Sequence, residues 1–149
     1  MLDSRTMLHV GLLGALLGLG ACGMTPMSTS TSAMSARLSG ASEVPPVTGN
    51  GSGTIDAVLN KQTNTLNWTI TYAGLSGPVT AGHFHGPAMA GQNAGVALPL
   101  TGGMASPIKG SATLTAAQAT DLMAGKWYMN LHTAANPNGE VRGQVTAQP

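Results

Sequence analysis

Charged and aromatic side chains are scarce in this chain. Among its 149 residues, 7% are Asp, Glu, Lys or Arg, 3% are Phe, Trp or Tyr, and the formal net charge is +1. A chain with so few charges carries neither the basic patch that nucleic acids require nor an acidic surface for cations. We therefore expect no nucleic-acid partner.

Cysteine is almost absent as well, and Cys22 is the only one in the sequence. The fold therefore cannot be stabilised by a disulfide within the chain. It follows an apolar segment, residues 7–21, that contains no Asp, Glu, Lys or Arg and is dominated by Leu, Gly and Ala. The segment is shorter than the roughly 20 residues that span a bilayer, but it has the length and the small-residue end of a secretory signal peptide. We predict a signal peptide over residues 1–21.

The end of this segment, Leu19-Gly20-Ala21-Cys22, resembles the lipobox of bacterial lipoproteins. The resemblance implies that the Cys22 thiol is acylated and becomes the N-terminus after cleavage, whereas an ordinary secretory signal would leave a free thiol. Two or more acyl chains anchor a protein stably. Gly23 stands where many Gram-negative lipoproteins carry an Asp that retains them at the inner membrane. We expect an exported protein, lipid-anchored to the cell envelope, with the outer membrane or the cell surface favoured.

The chain after the signal peptide divides into two parts. Residues 22–35 are rich in Ser, Thr and Met and have no hydrophobic periodicity, which is typical of a flexible tether. Residues 36–149 have the length of one domain.

Short segments of alternating polarity dominate that domain. Residues 65–72 alternate strictly between apolar and polar, and a polar turn separates them from residues 54–59, so the two runs predict an antiparallel hairpin. Thr115 and Gln118 match a capping box, and Gly125 is placed to end one short helix. With 21 glycines between short strands, the pattern is typical of an antiparallel sandwich or barrel. Further strands are predicted over residues 79–85, 96–100, 108–114, 127–133 and 140–146.

Four segments stand out, in chain order LSGASEVPP (38–46), AGHFHG (81–86), WYMNLHT (127–133) and PNGEVRGQ (137–144). Together they resemble a known family, the CHRD domain, a module first described in chordin and common in bacterial exported proteins. The resemblance implies a Greek-key-like β-sandwich, similar to copper-zinc superoxide dismutase and immunoglobulin domains, with no settled biochemical activity in bacteria. The growth-factor binding of chordin is attributed mainly to cysteine-rich repeats that this chain lacks.

The three histidines of the predicted mature chain lie in two of these segments. His83 and His85 project from the same face of one strand because side chains alternate. If that strand neighbours the one that carries His132, three neutral imidazoles can bind Cu(II) or Zn(II), which suit nitrogen ligands. The alternative is a structural role, in which the rings bond backbone or carboxylate groups, for example His132 with Glu140.

The last hairpin predicts a polar patch next to His132. A five-residue loop, 135–139, would pair that histidine with Arg142. Asn130, Glu140 and Arg142 would then form the patch on one face, and Glu140 and Arg142 are expected to form an ion pair.

Catalysis is not expected, because the sequence has no recognisable Ser-His-Asp set, spaced carboxylate pair or phosphate-binding loop. Superoxide dismutation is disfavoured in particular, since the bridging histidine, the acidic zinc ligand and the disulfide of that enzyme have no counterparts here. The leading interpretation is a non-enzymatic envelope lipoprotein with a binding or structural module, whose one indicated partner is the membrane that its lipid enters. The alternative is a copper- or zinc-binding envelope protein that uses the three histidines.

Overall fold

The computed structural model describes residues 30–149, which form eight β-strands, one α-helix and a 3-10 helix at Gly40–Ser42. The predicted signal peptide (1–21), the predicted lipidation site Cys22 and most of the predicted tether lie outside the described residues. The elements are β1 Thr31–Ser39, β2 Ser52–Asn60, β3 Thr65–Ala73, β4 Val79–His85, β5 Val96–Pro99, β6 Ile108–Thr113, α1 Ala116–Met123, β7 Trp127–Thr133 and β8 Val141–Ala147.

All eight strands belong to one antiparallel sheet, ordered β5-β4-β7-β8-β1-β2-β3-β6. The sheet curls around its own core. The rings of Trp68 in β3 and Phe84 in β4 meet edge to face at 5.4 Å between centroids, although four strands separate β3 from β4 in the sheet. The predicted all-β class is confirmed.

The predicted hairpin of β2 and β3 is present. Ile55 pairs with Ile70 and Leu59 with Leu66, and all four side chains are buried, while the alternate positions face outward. Full burial of one such aliphatic side chain stabilises the fold by about 1.5–3 kcal/mol. The strict alternation in the sequence therefore identified the buried face of this hairpin.

The predicted capping box opens α1. The Gln118 backbone N–H donates to the Thr115 hydroxyl at 3.2 Å, and the Thr115 N–H donates to the Gln118 side-chain oxygen at 2.9 Å. Gly125 follows the helix at φ +69°, a left-handed conformation that glycine adopts without strain. Leu122 is fully buried and packs the helix onto the core. This eight-residue helix is far too short to cross a bilayer, and no other helix between residues 30 and 149 could do so.

The first strand begins inside the predicted tether, so the boundary at residue 35 is wrong. β1 starts at Thr31, which pairs with Asn60 of β2, and Met34 points into the core with 1% of its surface exposed. Small polar residues form this strand because β2 and β8 supply hydrogen-bonding partners on both sides. Composition alone does not reveal such a partner.

The register of the last hairpin is also wrong, by two residues. Asn130, instead of His132, pairs with Arg142. The loop is longer than predicted because it folds on itself: the Asn136 N–H donates to the Thr133 carbonyl at 3.2 Å. A shift of two residues leaves each paired strand side chain on its predicted face.

Candidate metal-binding site

Strand β7 is buried along its whole length. Its odd-numbered side chains Trp127, Met129 and Leu131 belong to the hydrophobic core. Its even-numbered side chains point to the opposite face, where Asn130 is 3% exposed and His132 8% exposed. Buried polar groups are costly unless they are hydrogen-bonded, so this second face is a structured polar site.

The sheet brings the three predicted histidines together. β4 pairs with β7, and His83 lies directly opposite Asn130. One ring nitrogen from each of His83, His85 and His132 can be chosen so that all three lie within 4.8 Å of one another. The shortest contact joins His83 Nδ1 and His132 Nε2 at 3.0 Å. We call these residues the histidine triad.

Backbone carbonyls fix the protons of two triad rings. His132 Nδ1 lies 3.0 Å from the Pro137 oxygen, and His85 Nδ1 lies 3.0 Å from the Ala94 oxygen. A carbonyl oxygen only accepts, so each Nδ1 carries the hydrogen and donates it. The Nε2 of each neutral ring is then left with a lone pair. Metal-ligating histidines generally donate their second ring nitrogen in this way.

The environment of His83 and His132 favours their neutral form. Burial lowers the pKa of His132, the neighbouring His85 lowers it further, and only the bond to Pro137 opposes them. Burial also lowers the pKa of His83, with smaller contributions from the other two triad rings. A neutral imidazole is the form that binds a metal ion.

Tyr128 and Arg142 form a stack beneath His85. The rings of His85 and Tyr128 are parallel within 3°, with centroids 4.8 Å apart. The Arg142 guanidinium carbon lies 3.3 Å from the centre of the Tyr128 ring, a cation–π contact. The stack fixes the plane of the His85 ring.

The loop between β4 and β5, residues 86–95, covers this side of the site. Arg142, which is 2% exposed, donates from Nη1 to the Asn93 side chain at 2.9 Å and from Nη2 to the Gln92 carbonyl at 2.5 Å. The Ala94 backbone N–H donates to the Tyr128 hydroxyl at 3.2 Å. These bonds hold the Ala94 carbonyl in place to receive the His85 proton.

Glu43 is a site residue that the sequence reasoning did not select. It is 6% exposed, and burial raises its pKa to about 7, against the opposing effects of the Arg142 charge and of the nearby Asn130 amide. Gly139, at φ +125°, makes room for it: a Cβ there would lie 2.7 Å from Asn130 Nδ2 and closer still to Glu43 Oε1. The one signal in the sequence was an acidic residue inside the family-like 38–46 segment.

The predicted polar patch is present in part. Asn130 and Arg142 belong to the site, but the Glu140 carboxylate accepts hydrogen bonds from Ser76 and Thr133 instead. Burial alone would raise the pKa of Glu140, but these bonds outweigh it and lower the pKa. The expected ion pair of Glu140 with Arg142 is therefore wrong, and so is the bond of His132 with Glu140 that was one example of the structural alternative. The shifted register places Glu140 before β8, within reach of Thr133 on the core side of β7.

The fold and site contain all four segments that carry the CHRD resemblance, and residues 34–145 match the family model of the CHRD domain. The chain belongs to the CHRD-domain family. Neither a curated protein nor a solved structure matches it significantly. Membership of the CHRD family suggests a binding or structural module. The matched region includes the triad, Glu43 and Arg142.

Proposed function

We propose that this protein is a non-enzymatic, lipid-anchored envelope protein whose CHRD domain binds a copper or zinc ion through His83, His85 and His132. The observation that carries the proposal is the convergence of three ring nitrogens within 4.8 Å. Zn–N bonds of about 2.0–2.1 Å place tetrahedral ligand nitrogens about 3.3 Å apart. The 3.0 Å separation of His83 Nδ1 and His132 Nε2 is already close to that spacing.

A purely structural role explains only part of the contacts. It accounts for the Nδ1 bonds of His85 and His132 to carbonyl groups, and a hydrogen on His83 Nδ1 can be donated to His132 Nε2 at 3.0 Å. It does not account for the lone pair of His85 Nε2, which faces the Asn130 Oδ1 position at 3.1 Å, because an amide oxygen only accepts. A buried polar atom without a partner costs about 1–3 kcal/mol. A cation shared by the lone pairs removes that cost.

We also propose that the sheet forms a β-sandwich and that the protein lies at the membrane surface. The contact of Trp68 with Phe84 across the core supports a Greek-key-like β-sandwich of the superoxide-dismutase or immunoglobulin type. If Cys22 is lipidated, the chain from it to Thr31 reaches at most about 30 Å, since an extended residue spans about 3.3–3.6 Å. The domain would then stay close to the membrane surface.

Membrane fractionation tests the lipid anchor. We expect the wild-type protein in the membrane pellet and Cys22→Ser in the soluble fraction. Membrane association that persists unchanged in the variant would contradict lipid anchoring and would leave the metal proposal untouched.

A competition titration tests the metal site. Protein without a histidine tag is titrated with Cu(II) and, separately, with Zn(II) in the presence of a chelator of known affinity. We expect a sub-micromolar dissociation constant that His132→Ala weakens by about 100-fold or more, because a ligand is lost from a three-ligand set.

The matched control is Asn67→Ala, which removes an exposed side chain from β3, away from β4 and β7. It should bind like the wild type. Wild-type binding no tighter than millimolar, or equal affinity in His132→Ala, would refute the metal site.

A further inference from the structure

The Asn130 side-chain amide stands between the histidine triad and Glu43. On one side its Oδ1 position lies 2.9 Å from His132 Nε2 and 3.1 Å from His85 Nε2. On the other side its Nδ2 and the Glu43 carboxyl group border the same point, since a Cβ at Gly139 would lie 2.7 Å from Asn130 Nδ2 and closer still to Glu43 Oε1. One amide therefore lies between the metal ligands and a buried acid.

The protons fixed by the two carbonyl groups create a conflict at this amide. Because His85 and His132 carry their hydrogens on Nδ1, both Nε2 atoms are acceptors, and an amide oxygen placed against them is a third acceptor. The two ends of an amide are alike in shape, so hydrogen bonding decides its orientation. Without a cation, the amide is satisfied only when Nδ2 faces the rings.

That orientation turns Oδ1 toward Glu43 and requires a donor there. A protonated carboxyl group is such a donor, and Glu43 Oε1 is buried with no hydrogen-bond partner as it stands. The raised pKa, about 7, means that the proton is available near neutral pH. The metal-free site is therefore consistent with a neutral Glu43.

A divalent cation on the triad reverses these requirements. The cation takes the Nε2 lone pairs, so the rings no longer need a donor, and its charge attracts the amide oxygen. Asn130 Nδ2 then faces Glu43, and an N–H donor stabilises the ionised carboxylate. Arg142 is the charged neighbour of Glu43 and favours the same ionised form.

We propose that Asn130 couples metal occupancy of the triad to the ionisation of Glu43, so that binding of a divalent cation releases the Glu43 proton to solvent. The O–H bond of the carboxyl group breaks, its electron pair stays on the carboxylate, and a buffer base takes the proton. The inference rests on the proposed metal site. Arg142 from β8 is the charged group next to Glu43. Beyond the Asn130 amide lie two titratable rings, His85 from β4 and His132 from β7. The facing loop, residues 135–139, carries no titratable side chain.

Calorimetric titration with ZnCl₂ at pH 7, in two buffers of different ionisation enthalpy, measures the number of protons released. The histidine contribution is common to the wild type and Glu43→Gln, so it cancels in the comparison. With a pKa of about 7, half of the Glu43 carboxyls are protonated at pH 7, and the wild type should release about half a proton more than Glu43→Gln. At pH 8.5 this difference should vanish. Asp121→Asn, which removes a carboxylate paired with Lys126 outside the site, is the control and should release as many protons as the wild type.

Asn130→Ala tests the coupling itself. Without the amide, proton release at pH 7 should fall to the value of Glu43→Gln. Zinc binding with equal proton release in the wild type and Glu43→Gln would overturn the inference while the metal site stands. Full release in Asn130→Ala would overturn the role of the amide. Failure of the wild type to bind either zinc or, in the same titration, copper would instead overturn the proposed function.

Discussion

The outer faces of the two halves of this sheet differ sharply. Across β1, β2 and β3, the outward side chains Ser35, Asp56 and Thr69 lie side by side, each at least partly exposed to solvent. Across β7 and β8, the outward side chains Asn130 and Arg142 are paired and almost completely buried. Both faces are polar, but within residues 30–149 other segments cover only the second.

This difference is informative because burial makes polar side chains expensive. An exposed Thr or Ser hydrogen-bonds to water at little cost, whereas a buried guanidinium or amide requires partners at defined positions. Segments 40–47, 86–95 and 135–139 supply those partners around β7 and β8. Two arginines show the contrast most clearly, because Arg142 on β8 is buried and Arg37 on β1 is exposed.

The largest expected effect follows from that contrast. Arg142→Ala should lower the free energy of unfolding by about 2–4 kcal/mol, because it removes the bonds to the 86–95 loop and the contact with Tyr128 and leaves buried acceptors unpaired. Arg37→Ala should change it by no more than about 0.5 kcal/mol. Urea unfolding followed by tryptophan fluorescence measures both. Equal losses in the two variants would remove the distinction between the faces.

A smaller effect is expected for Glu43→Gln, and it depends on pH. Folding raises the pKa of the Glu43 carboxyl group from 4.5 to about 7, so the folded state favours the protonated form. The stability that this form contributes is complete below pH 4.5 and is lost as the pH rises through 7. With chelator present, the variant should match the wild type at pH 4 and exceed it at pH 8.5 by an amount on the order of 1–3 kcal/mol. Chemical unfolding at the two pH values measures this. A variant less stable than the wild type at pH 8.5 would show that the ionised carboxylate is well solvated or paired.

Local patterns predicted much of this fold. The β4 strand has the predicted bounds, and the capping box at Thr115 opens the helix as expected. The projection of His83 and His85 from the same face of the strand followed from strand geometry alone. Their approach to His132 was conditional on a strand pairing, which the structure supplies.

The errors share one cause, which is contact between distant parts of the chain. The tether boundary was wrong because Thr31 pairs with Asn60, and Glu140 was misplaced because a turn inside the last loop shifts the register. Glu43 was missed since nothing near it in sequence shows that it will be buried against Asn130. Local periodicity carries no information about such long-range neighbours.

The most direct test of the account is X-ray absorption spectroscopy of the zinc-loaded protein at the metal edge. The account predicts three imidazole nitrogens at about 2.0–2.1 Å, reduced to two in His132→Ala. A spectrum with one imidazole or none, or with sulfur ligands from methionine or cysteine, would contradict it.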